Sequence, residues 1–174
     1  MAEEKKESWL NWLAITMVIF SACATLSSFR GSSYSTRVVL SQTSAANMWA
    51  YFQAKSMKQH NFELSKDALE LQQMAISDSA QAKAYRTKFT EYEGEIARYL
   101  SEKDQAMKDA KEFETAKTDF QAHGARFAMA VVYLQVAIML SAMSALLKKK
   151  PVWLLGTLTG SVGLVYFLTG IFWK

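Results

Sequence analysis

The sequence predicts an all-α membrane protein: three transmembrane helices, with a long antiparallel, coiled-coil-like helical hairpin between the first and second spans. Three observations carry this. Uncharged stretches of 22, 21 and 23 residues separate Glu7 from Arg30, Arg126 from Lys148, and Lys150 from Lys174, each close to the ~20 apolar residues that cross a hydrocarbon core of about 30 Å. The chain is 51% hydrophobic and 21% charged, yet its mean hydropathy is -0.03, so the average conceals unlike regions. The polar insert, Arg30 to His123, contains no proline and too few large aliphatic residues for a globular core. The expected layout is a cytoplasmic tail at 1–8, spans at 9–29, 124–147 and 152–173, a loop at 148–151, and the insert at 30–123.

The first span has a competing reading. Lys5 and Lys6 precede an apolar run, Ala22-Cys23-Ala24 reads as a small-x-small cleavage site, and Phe20-Ser21-Ala22-Cys23 is one residue away from a lipoprotein box. Apolar character continues past that point to Phe29. The segment is therefore read as a retained helix, with Cys23 a small packing residue.

The insert reads as two helices. Tyr34 to Ile76 lacks glycine and proline and is rich in good helix formers. Met57, Leu64 and Leu71 recur every seven residues, so Leu64 and Leu71 are assigned to the hairpin seam. In the second arm Tyr92, Tyr99, Ala106, Phe113, Phe120 and Phe127 share one heptad position, with Phe89, Ile96, Lys103, Ala110 and Lys117 at the other. A repeat sustained this long predicts helices wound as a left-handed coiled coil, with Tyr92, Tyr99, Phe113 and Phe120 in its seam. Ser77-Asp78-Ser79 offers N-cap chemistry for a turn near 77–79, and Gly94 competes with it. Both arms return to the same membrane face, and only the turn at 77–79 makes them equal in length. At the membrane end Arg30-Gly31-Ser32-Ser33 interrupts the helix signal, whereas the second arm runs on into the second span.

Orientation follows from the loop between the last two spans. Lys148, Lys149 and Lys150 in a connection this short place it in the cytoplasm by the positive-inside rule, which puts insert 30–123 outside the cytoplasm. Trp9, Trp12 and Trp153 would then share one interface and Trp173 the other. Within the spans the informative residues are small. Gly156, Gly160, Gly163 and Gly170 line one face of the third span, where a helix can approach closely. Ala14, Ser21 and Ser28 form a small ridge on the first span, and Ala130, Ala137, Ser141 and Ala145 form one on the second. Gln135, the one large polar side chain at depth, is read as an interhelical hydrogen-bonding group.

Chemistry is sparse by comparison. One cysteine forms no intrachain disulfide, and His60, His123 and Cys23 do not make a closed zinc site. The insert holds 13 Lys/Arg and 13 Asp/Glu, so it lacks the basic excess of a nucleic-acid binder. No phosphate-cradling loop, Gly-x-Ser-x-Gly or His-Glu-x-x-His motif is present. No Asp, Glu, Lys, Arg or His lies mid-span, which argues against ion-coupled transport. Glu91, Glu93 and Glu95 fan over different helix faces, unlike a paired acid/base site. The expectation is a protein that is not an enzyme and carries no catalytic, metal or cofactor site.

Four segments carry a family resemblance: Trp9-Leu10-Asn11-Trp12-Leu13-Ala14, Ala24-Thr25-Leu26-Ser27-Ser28-Phe29, Tyr34-Ser35-Thr36-Arg37, and Trp49-Ala50-Tyr51-Phe52-Gln53-Ala54-Lys55-Ser56-x-Lys58. With them the chain resembles a family of uncharacterised bacterial inner-membrane proteins, a domain of unknown function with three spans. The resemblance implies a multi-pass protein of the bacterial inner membrane whose insert is periplasmic, and it supplies no activity. The preferred reading is a homo-oligomer in the lipid bilayer serving as scaffold or envelope spacer. The alternative is an accessory subunit docking another protein through its hairpin. A pore or sensor is third, since an eight-residue tail and a four-residue loop leave no cytoplasmic output domain.

Overall fold

With proline confined to position 151, nothing in the polar region breaks a helical ladder. The computed structural model is accordingly three helices: α1 (Ala2–Gln73), α2 (Ser79–Leu147) and α3 (Lys150–Phe172). The structure describes residues 2–73 and 79–172, with side chains over 9–73 and 81–172. There is no strand among the described residues. Residues 77 and 78 of the expected turn, and Trp173, lie outside them.

The interruption expected at Arg30–Ser33 is absent, since α1 runs through it. Two local features explain the continuity. Thr36 Oγ1 donates to the Ser32 carbonyl at 3.1 Å, so a hydroxyl that competes for backbone elsewhere is here bonded back within the helix. Gly31 faces α2: a Cβ there would stand 3.5 Å from Phe127 Cβ, an ordinary van der Waals contact. Gly124 faces α1 likewise, with Tyr34 Cβ 3.4 Å from where its own Cβ would stand. Packing of α1 against α2 on either side offsets the ~1 kcal/mol that a helical glycine costs against alanine.

The chain divides into two compact units. The first comprises Met1–Val39 and Lys117–Lys174, the second Leu40–Ala116. Three helices of the chain, two of them in part, meet in the first unit, and each contains a window long and apolar enough to cross a membrane. Its interior combines a few large apolar side chains, Phe20, Phe127 and Leu134 among them, with many small residues. Ser27, Ser141, Ser144, Ala130, Ala137 and the four glycines of α3 are buried, while Val18, Leu26, Phe29, Met139, Leu146 and Leu158 point outward. Small residues inside let backbones approach, and large ones outside suit an apolar solvent. The small ridge read at Ala14, Ser21 and Ser28 is exposed; the inward row is Leu13, Phe20 and Ser27. That one-residue offset turns a helical face by about 100°.

The second unit is an antiparallel pair of arms. In α2 the aromatic heptad faces the partner arm: Tyr99, Ala106 and Ala110 are buried, and Phe89, Tyr92, Ile96, Lys103 and Phe113 are half-buried. Phe120, at the same heptad position, is half-buried in the first unit, its ring 6.4 Å from that of Tyr34. In α1 the seam differs from the expected one. Leu64 and Leu71 are 55% and 70% exposed, and Met57 is exposed with them. The row that meets α2 is Ser41, Ala45, Met48, Phe52, Lys55, Gln59, Phe62, Lys66 and Leu69, spaced alternately by four and three. Phe62 provides its aromatic centre, at 5.4 Å from the ring of Tyr92 and 5.7 Å from that of Tyr99.

Candidate interaction surfaces

Two surfaces bring side chains of different helices together, and the sequence singles out only part of them. The first is the glycine face of α3, filled from within the chain. A Cβ on Gly156 would meet Ser141 Oγ at 3.1 Å and the Ala137 carbonyl at 3.2 Å. One on Gly160 would lie 2.3 Å from Phe20 Cζ, one on Gly163 2.8 Å from Leu134 Cγ, and one on Gly170 3.1 Å from the Phe127 ring. Phe20, Leu134 and Phe127 are therefore three knobs, from α1 and α2, seated in one groove. The glycine face of α3 is thus covered by α1 and α2 of the same chain.

Gln135 takes no part in this packing. It is exposed on α2, and the expected interhelical hydrogen bond is not formed among the described residues. Tyr133, two residues away, stacks on Tyr166 with centroids 5.6 Å apart.

At one end of the first unit, α2 passes to α3 through Lys148 and Lys149. Lys148 has φ of 50°, the left-handed conformation that ends helices, although it is not glycine. Ser144 Oγ donates to the Lys149 carbonyl at 2.8 Å, and α3 starts with Lys150-Pro151, a good first-turn position for proline. All three lysines are exposed. Beside them Trp153 Nε1 donates to Thr16 Oγ1 at 3.2 Å, and its ring lies 6.4 Å from Trp9. Toward the other end of this unit Tyr34 stacks on His123 at 5.4 Å and on Phe127 at 5.8 Å, with the Arg37 guanidinium 5.6 Å from the Phe120 ring. His123 Nδ1 lies 2.9 Å from the Asp119 carbonyl oxygen, a local contact.

The second surface is the seam of the hairpin, laced by polar pairs. Trp49 Nε1 donates to Glu114 Oε1 at 2.9 Å, Lys103 Nζ to Gln59 Oε1 at 2.9 Å, and Lys66 Nζ pairs with Glu93 at 3.0 Å. Lys55 and Glu102 form an ion pair at the centre, with Lys55 Nζ 4.8 Å from the Tyr51 ring and 5.2 Å from that of Tyr99. The Glu102 carboxyl is held below its ordinary 4.5, first by its hydrogen bond from Lys55 and then by the surrounding positive charge. Lys55 is held above its ordinary 10.5 by the same bond. Periodicity of apolar residues misses this row because its members include lysines and a glutamine. The detectable signal was the partner arm's own Lys103 and the carboxylates beside it.

What remains for chemistry is little. His60 is exposed beside Glu63, and Glu91 pairs with Lys88 on its own helix. No group of three metal-ligating side chains occurs among the described residues.

Residues 9–173 match a family described as a domain of unknown function, DUF4337. The chain belongs to the DUF4337 family. No curated protein and no solved structure matches it. The DUF4337 match takes in the apolar stretches of all three helices and the hairpin between the first two.

Proposed function

We propose that this chain is a non-enzymatic membrane protein that self-assembles, anchored in the bacterial inner membrane by three spans and presenting its hairpin on the periplasmic side as a scaffold or envelope spacer. One observation carries the assembly reading. The hairpin leaves Met57, Leu64 and Leu71, exposed by 68%, 55% and 70%, on a region rich in charge, while Gln59 and Lys66 on the opposite face of α1 pair with Lys103 and Glu93 of the other arm. Apolar side chains of that size gain about 1.5–3 kcal/mol each on burial, so a row of them in water favours association. Gln135 supports the same reading within the bilayer, where an amide facing lipid gains from a neighbour's hydrogen bond. Lys148 to Lys150 support the orientation.

The mass of the full chain purified in mild detergent, with every co-purifying chain identified, tests this. Self-assembly predicts an integral multiple of 19.6 kDa after subtraction of detergent. A monomer contradicts it. A stoichiometric partner replaces it with the accessory-subunit reading, in which the same exposed row docks on another protein.

A further inference from the structure

α1 carries two heptad faces in the second unit, and only one is covered. The covered face includes Lys55, Gln59, Phe62 and Lys66. The other is the row from Leu40 to Leu71 at alternating steps of three and four, and all of its positions are exposed and uncharged although lysines and carboxylates flank it. At about 100° per residue the centres of the two faces lie roughly 150° apart. A helix with two such faces is a middle strand that has one neighbour.

We propose that the second neighbour is α1 of another copy, packed parallel and in register as a two-stranded seam. Two copies inserted in one membrane carry α1 in the same direction, so each seam position faces its own equivalent. The residue types agree with that geometry. Met57, Leu64 and Leu71 occupy the d positions, where leucine suits a two-stranded parallel seam, and Asn47 and Asn61 occupy a positions, where asparagine pairs across the axis and holds the register. Charge raises no objection: the flanking pairs of such a dimer are Gln53 with Lys58, His60 with Ser65, and Asp67 with Gln72, none of like sign. Area is adequate as well. Thirty-two residues at ~1.5 Å each, on a helix ~10–12 Å wide, offer about 500 Å² per copy and about 1,000 Å² in all, the threshold for a specific interface.

This surface rests on the self-assembly reading and names where it occurs. The test uses full-length chains in membranes, in a Cys23→Ala background, with one cysteine introduced at a time. Leu64→Cys and Leu71→Cys should form disulfide-linked dimers under mild oxidation at least fivefold more efficiently than Glu70→Cys, which lies off the seam. Leu64→Lys with Leu71→Lys should abolish crosslinking through a cysteine at Met57 while leaving helical content unchanged. Equal crosslinking at residues 64, 70 and 71, or none at any, in a chain that still purifies as a homo-oligomer overturns this surface and leaves self-assembly standing. A monomeric wild-type chain overturns both, and a foreign chain crosslinked at residues 64 and 71 gives the face to a different occupant.

Discussion

The Phe20 ring occupies the space where a side chain on Gly160 would begin: a Cβ there would sit 2.3 Å from Cζ and 2.5 Å from Cε2. Phe20 is itself buried in a cluster with Ala24, Leu134 and Ala137, so the ring would have to shift against them. The relationship explains why α3 can be apolar along its whole length and still have a defined inner face. Glycine provides shape where hydrophobic contrast with lipid is missing.

Gly160→Ala should therefore lower the stability of the first unit by about 1–3 kcal/mol, the usual cost of overpacking. Gly94→Ala is the matched control, because a Cβ at Gly94 meets nothing within 4 Å. It should stabilise the second unit by about 0.5–1 kcal/mol through helix propensity alone. Unfolding in mild detergent, followed by circular dichroism, separates the two. Equal effects of the same sign would mean that the groove is not filled by Phe20.

The three apolar helical stretches and the aromatic heptad of α2 were legible in the sequence because one is written in long uncharged runs and the other in large side chains at a fixed period. The covered face of α1 was not. Lys55, Gln59 and Lys66 lie on it, bonded to Glu102, Lys103 and Glu93, so the true seam is less apolar than the exposed row of Met57, Leu64 and Leu71. Hydropathy finds the more apolar face, and on this helix that face is uncovered within the chain. Arg30–Ser33 misled for a related reason: Gly31 reads as a break locally, and only the Phe127 contact reveals it as a packing residue.

The Lys55–Glu102 pair gives the hairpin a pH dependence of known sign. Glu102 binds its proton less readily folded than unfolded, so its contribution is present above the ordinary value of 4.5 and is lost as pH falls through the lower folded value. Lys55 contributes below 10.5 and loses its contribution as pH rises through its raised value. Thermal melts of the full chain should thus weaken on the acid side below about pH 4.5. Glu102→Gln should flatten that limb, and added salt should shrink it, since the pair is only half-buried. An unchanged acid limb in the variant would remove Glu102 from the account.

Gln135→Leu separates a contact inside the chain from one between chains. Its side chain has no hydrogen bond within the described chain, so the variant should leave subunit stability unchanged. If the amide meets a neighbour, self-association should weaken by about 0.6–2 kcal/mol. Dilution series in detergent, read by Förster transfer between labelled chains, measure that change; no change in association would place Gln135 against lipid.

Lys148 holds φ of 50° without being glycine, a conformation that costs an L-residue roughly 1–2 kcal/mol. Lys148→Gly should raise the melting temperature of the first unit while Lys149 and Lys150 keep the loop's positive charge. A lowered melting temperature would show that the lysine side chain, not the backbone turn, holds this end.

The orientation of the hairpin decides whether any partner surface faces the periplasm, and it is measured most directly by labelling. Ser101 is exposed on α2 within the second unit. Ser101→Cys in a Cys23→Ala background should react with a membrane-impermeant maleimide on intact spheroplasts, to the same extent as after lysis. Reaction only after lysis would put the hairpin in the cytoplasm and contradict the account.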